Sequence, residues 1–226
     1  MRHMQPETRR IRLGLGTAAL LLAATAAQAT ITSGATFIGG GFQKLPLPLP
    51  NPFGPPNSVG DDNFQSGKLL GFDESQNIVL TAPLLVDAVP SGSTTLAVGS
   101  TVASHYVFFD PLQNAEVDGV VNFDSNIIAL IFVDATLAGS DFLASTGVNY
   151  LNPTARGLEA GDSVVISGPQ QIRFHTFAGS PGDYVRVLTE FSPGAVPEPA
   201  TWAMFVLGGA ALSLAAARRL RAAAAC

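Results

Sequence analysis

The side chains able to do chemistry in this chain are few, and most are carboxylates. They fall into small groups: Asp61-Asp62 followed by Asn63, Asp73-Glu74, and Glu116 with Asp118 two positions apart, while Asp124 and Asp183 are placed to approach the last group across one end of a β-sandwich. Hard cations such as Ca²⁺ are held by several carboxylate and carbonyl oxygens, which loops supply well. No group has the spacing of an EF-hand loop or of a glycine-aspartate nonapeptide repeat. Solvation of turns is therefore preferred over a Ca²⁺ site at Asp61, Asp62, Asp73, Glu74, Glu116 or Asp118, and no other cofactor is expected. His105 and His175 each sit beside an aromatic residue in an expected strand and read as packing or strand-surface residues. A two-histidine metal site requires their strands to be neighbours. HExxH, GxSxG, phosphate-binding loops and cysteine-histidine sets do not occur, and the chain is read as non-enzymatic. Tyr106, Phe108, Tyr150 and Phe174 are candidates for stacking on sugars, although alternating aromatics in strands more often serve the core. A flat threonine array for ice is not present, since only Thr94 and Thr95 adjoin.

The elements that must position these groups are short β-branched and aromatic runs separated by Gly, Pro, Asn, Asp and Ser, with no sustained helical period. Strands are expected at 77–80, 101–109, 116–123, 127–133, 163–167, 172–177 and 184–191. Alternation in the last puts Val185, Val187 and Thr189 on one face and Arg186 on the other. The unbroken apolar run from Ile127 to Val133 predicts a strand covered on both sides. The pattern predicts an all-β, jelly-roll-like antiparallel β-sandwich over residues 61–192. Residues 30–60 precede it as an N-terminal strand and a proline-rich arm, LPLPLPNPFGPP from Leu45 to Pro56, which favours extended backbone.

Charge is distributed unevenly. Seven of the 12 basic residues lie near the two ends, and the stretch from Thr30 to Val196 holds five basic residues (Lys44, Lys68, Arg156, Arg173, Arg186) against 15 acidic ones, a formal charge of 5 − 15 = −10. Such a surface repels nucleic acid and anionic lipid. The only cysteine is Cys226, so the central domain has no disulfide and relies on packing.

Both ends carry apolar segments. Met1 to Arg12 has four arginines, LGLGTAALLLAATAA follows, and Ala27-Gln28-Ala29 fits a small-x-small cleavage site. Residues 1–29 thus predict a secretory signal peptide with a short signal helix. At the other end, within 193–226, Pro197-Glu198-Pro199 precedes an uncharged run from Ala200 to Ala217 and the basic cluster Arg218, Arg219 and Arg221. Eighteen helical residues rise about 27 Å, enough for a single transmembrane helix, and the arginines keep the tail in the cytoplasm.

The tripeptide, helix and arginine-rich tail, in that order, resemble the PEP-CTERM sorting signal of Gram-negative bacteria, a tail also known as an ice-binding protein C-terminal domain. The resemblance implies an exosortase as partner, a transient inner-membrane anchor, cleavage near the tripeptide, and delivery to the cell surface or to extracellular polysaccharide and biofilm matrix. The five residues Ala222 to Cys226 make this tail slightly longer than usual. The segments SHYVFFDP (from Ser104), YLNP (from Tyr150) and SPGDYVRV (from Ser180) resemble an ectodomain recurrent among PEP-CTERM proteins, which implies no particular activity. The alternative expectation is a secreted carbohydrate-binding or carbohydrate-active sandwich protein.

Overall fold

A computed structural model of the chain describes residues 28–191. The expected signal helix with Ala27, and the sorting segment with Pro197, Glu198, Pro199 and the terminal arginines, lie outside the described residues. Among the described residues no helix is long and apolar enough to cross a membrane.

Fourteen strands run in chain order: β1 (Ile31–Ile38), β2 (Phe42–Lys44), β3 (Ser58–Val59), β4 (Ser66–Asp73), β5 (Ile78–Val79), β6 (Leu84–Leu85), β7 (Thr95–Leu96), β8 (Thr101–Asp110), β9 (Ala115–Phe123), β10 (Ile127–Ile131), β11 (Asn149–Tyr150), β12 (Ser163–Gly168), β13 (Gln171–Ala178) and β14 (Asp183–Glu190). Among the described residues one α-helix, α1 (Asp134–Gly139), and a 3₁₀ turn (Asp141–Leu143) lie between β10 and β11. One sheet has the order β1-β9-β13-β12, and a larger one the order β10-β14-β8-β4-β2 with β5 also on β8. Between the two main sheets the chain crosses at β1 to β2, β8 to β9, β9 to β10, β10 to β12 and β13 to β14. All seven strands expected from sequence are present, with ends displaced by at most two residues.

Strand alternation explains the two cores. Val107, Phe109, Val185 and Val187 of the larger sheet meet Val117, Val121, Ile172 and Phe174 of the smaller one, so one core lies between the sheets. Tyr106, Phe108, Tyr184 and Leu188, the intervening residues, point the other way and are covered by Leu45, Leu49, Phe64, Leu137 and Leu143. The larger sheet is therefore buried on both faces. Phe108 and Tyr184 stack at 5.3 Å, and Phe64 meets Phe108 edge-on at 5.1 Å. Removing one such buried ring costs about 3–5 kcal/mol.

Two expectations are corrected here. The boundary at Asp61 separates nothing, because β1 pairs with β9 and β2 pairs with β4 in the two main sheets. The proline-rich segment is no free arm. Leu45 and Leu49 are both buried against the larger sheet while Leu47 between them is exposed, and Leu49 N donates to Asn57 Oδ1 at 2.8 Å. Pairing is antiparallel within the main sheets except for β2 on β4, and β3 with β11 forms a separate parallel pair.

Candidate functional site

The six carboxylates named as cation candidates land in four different places. Asp73 is the last residue of β4, opposite His105 of β8 in register, and Glu74 follows it. Successive side chains point to opposite faces, so the two carboxylates diverge and cannot share one ion. Both are engaged by protein groups.

Asp73 accepts from His105 Nδ1 at 2.8 Å, Lys44 Nζ at 2.6 Å, Thr30 Oγ1 at 2.7 Å and Ile31 N at 2.9 Å. Burial works against its ionisation, but the hydrogen bonds from His105, Lys44 and Ile31 prevail and hold the carboxyl well below the usual range. His105 is fully buried, bridging Asp73 to Thr189 Oγ1 at 3.0 Å and packing against the Phe123 ring at 5.0 Å.

Glu74 lies on the other face of the sheet against Arg186, with Arg186 Nε to Oε2 at 2.8 Å and Nη2 to Oε1 at 3.0 Å. Neither side chain is exposed. Arg186 also donates to Ser140 Oγ (2.5 Å), Leu137 O (3.2 Å) and Asp141 Oδ1 (3.3 Å), so all five guanidinium hydrogens have acceptors. Ser104 Oγ and Tyr150 OH complete Glu74 at 2.5 and 2.6 Å. Arg156, also buried, reaches Asp141 Oδ2 at 2.9 Å from the other side. This network straps α1 and the 3₁₀ turn onto the sheet. The sequence hint was one arginine inside the apolar run from Tyr184 to Leu188, in a strand whose second face proves to be covered as well.

Glu116 and Asp118 stand on the outer face of the four-stranded sheet. Arg173 holds Asp118 in a two-pronged pair, at 2.9 Å from Nε and 2.6 Å from Nη2, and these hydrogen bonds lower the Asp118 carboxyl. His175 Nδ1 is 3.9 Å from Glu116 Oε1. Asp118, Ser163, Val165, Arg173 and His175 line a shallow hollow of about 320 Å³. The Arg173 guanidinium lies 5.7 Å from the ring centre of Phe37, which is 67% exposed, and Phe177 on the same face is 59% exposed. The aromatics expected as sugar platforms are elsewhere: Tyr106, Phe108 and Phe174 are fully buried, and Tyr150 is half-buried.

His105 and His175 occupy different sheets, which removes the two-histidine metal site. Glu116, Asp118 and His105 share no groove. Asp124 caps the start of the fold by accepting from Thr30 N at 2.8 Å, while Asp183 is buried against Thr176, so neither joins Glu116 and Asp118. Burial, opposed by the Thr176 hydrogen bond and reinforced by Asp162 and Glu159, pushes the Asp183 carboxyl up to about 6. A second hollow of about 590 Å³, lined by Ala88 to Pro90, Asn126, Ile127 and Val164 to Pro169, has no ionisable side chain. Among the described residues no three His, Cys, Asp or Glu side chains gather in a way that could hold a metal. Asp61 and Asp62 remain, in a left-handed turn (φ 60° and 59°) at the end of the larger sheet. No family model, curated protein or solved structure matches the chain.

Proposed function

We propose that the chain is an exported surface or matrix protein of the PEP-CTERM type, without enzymatic activity of its own, whose central domain is a jelly-roll-like sandwich. Its signal peptide is removed after Ala29. Its C-terminal helix holds it briefly in the inner membrane, and an exosortase then cuts near Pro197-Glu198-Pro199 and releases it into surface polysaccharide. The observation that carries this reading is the sequence of the C-terminal thirty residues, where tripeptide, uncharged span and basic cluster occur in order.

The placement of the folded part agrees with it. β1 begins at Ile31, two residues after the cleavage pattern, and Thr30 N already donates to Asp124 Oδ1. Cleavage after Ala29 turns that amide into an ammonium group facing a carboxylate, which strengthens the contact. At the other end β14 stops at Glu190, leaving a six-residue spacer before Pro197. The test is replacement of Pro197, Glu198 and Pro199 by alanine. Full-length protein should then accumulate in the inner membrane, and undiminished release would refute the sorting role.

A second reading, carbohydrate binding, is favoured by one observation: Phe37, Arg173, Asp118 and His175 form an exposed face of mixed aromatic and polar groups. Sugars are held by such combinations. A glycan array probed with the wild type and with Phe37→Ala tests it; binding that survives the substitution assigns the sugar to another surface.

A further inference from the structure

We propose that the domain binds a divalent cation of calcium size at the end of the six-stranded sheet, between the carboxylates of Asp62 and Asp110. Asp110 ends β8, on the face that carries Tyr106 and Phe108, and is fully buried. Its Oδ2 accepts from Phe64 N at 2.9 Å, but buried Oδ1 has no donor in hydrogen-bond geometry, because the Tyr184 hydroxyl beside it gives its one proton to Pro181 O at 2.8 Å. Asp62 repeats the pattern: Oδ2 accepts from Ser180 Oγ at 2.5 Å, and buried Oδ1 has no donor. Two carboxylate oxygens are thus withdrawn from solvent and left unpaired by the protein, a costly arrangement unless a cation occupies the space beside them.

The two residues belong to one small neighbourhood. Ser180, which donates to Asp62, precedes Pro181, whose carbonyl oxygen accepts from Tyr184 OH at 2.8 Å, and Tyr184 adjoins Asp110. Gly182 closes the loop in a left-handed conformation (φ 89°), where a Cβ would lie 2.9 Å from Phe109 O and 3.1 Å from the Tyr184 hydroxyl. Asp61 adds a further negative charge nearby. Among the described residues no Lys, Arg or His forms an ion pair with Asp61, Asp62 or Asp110, although Asp73, Glu74, Asp118 and Asp141 all have one.

Two carboxylates leave the rest of the shell to main-chain carbonyls, hydroxyls and water. That mixture suits Ca²⁺, which tolerates six to eight oxygens in loose geometry, better than Mg²⁺, and it fits the weak class of extracellular sites, with Kd on the order of 10⁻⁴ to 10⁻³ M. Only the affinity class leans on the export reading; the site stands on the two carboxylates.

The experiment is a thermal melt of the full-length chain in mild detergent at neutral pH, in chelator and in about 10 mM calcium chloride. At the weak end of that range calcium raises Tm by about 3–6 °C. Asp62→Asn and Asp110→Asn each lose the rise while still melting cooperatively. A wild type indifferent to calcium, or variants that keep the full shift, overturn the proposal. Should a variant not fold, Tb³⁺ titrated into the wild type decides. Emission sensitised through Tyr184 and quenched by excess calcium supports the site, and emission that is absent or unaffected by calcium overturns it.

Discussion

Two arginine-carboxylate pairs in this molecule have nearly the same geometry and opposite surroundings. Arg186 grips Glu74 with two prongs inside the covered face of the larger sheet, with neither side chain exposed. Arg173 grips Asp118 in the same manner on the open face of the smaller sheet, with the arginine side chain 53% exposed. The contacts are equally short, yet they do different work. Water competes for the outer arginine and would solvate it alone, although Asp118 beneath it is only 10% exposed, so this pair shapes a surface. Around the inner pair no water is at hand, each charge depends on the other, and the pair locates α1. Hydrogen-bond length does not distinguish a strut from a decoration; burial does.

The largest expected effect comes from breaking the inner pair on one side. Glu74→Ala leaves Arg186 charged and buried and should cost about 3–5 kcal/mol, seen as a fall in the denaturant midpoint. A double-mutant cycle with Arg186→Met should show strong coupling, and additive losses there would break the comparison. The next effect is on acid stability through Asp73. Its folded pKa is depressed, so its contribution is present above the unfolded value near 3.8 and is lost as pH falls through the folded one. Asp73→Asn should therefore lower stability at neutral pH and flatten the decline in acid; an unchanged acid limb would mean that His105 and Lys44 do not hold the carboxylate. The smallest effect belongs to the outer pair. Asp118→Ala should leave the melting transition within the scatter of repeat measurements, with almost no coupling to Arg173→Ala, and a large loss would show that the open face is structural.

What the sequence made legible follows the same division between alternation and long-range covering. β8, β9, β13 and β14 were visible because each alternates or carries a dense apolar run. β4 was hidden by Gly67, Lys68 and Gly71, which dilute its apolar pattern although its second half is buried. α1 spans only six residues, too few to establish a helical period. The alternating prolines announced extended backbone but could not say that Leu45 and Leu49 would be buried. Of the six carboxylates first considered for a cation, Asp73 and Glu74 diverge from a strand end, and Glu116 and Asp118 sit on an outer face. Asp110, which Asp61 and Asp62 do approach, looked like an ordinary residue before a proline. Pairings between distant segments decided all of these outcomes, and local spacing carries no record of them.

The proposed export and trimming are the centre of the functional reading, and the two ends of the protein test them most directly. Intact-mass analysis and terminal peptide sequencing of the released protein should find Thr30 as the first residue and a C-terminus close to Pro199, with Trp202 to Cys226 missing. Recovery of a released chain that retains both Met1 and Cys226 would contradict it.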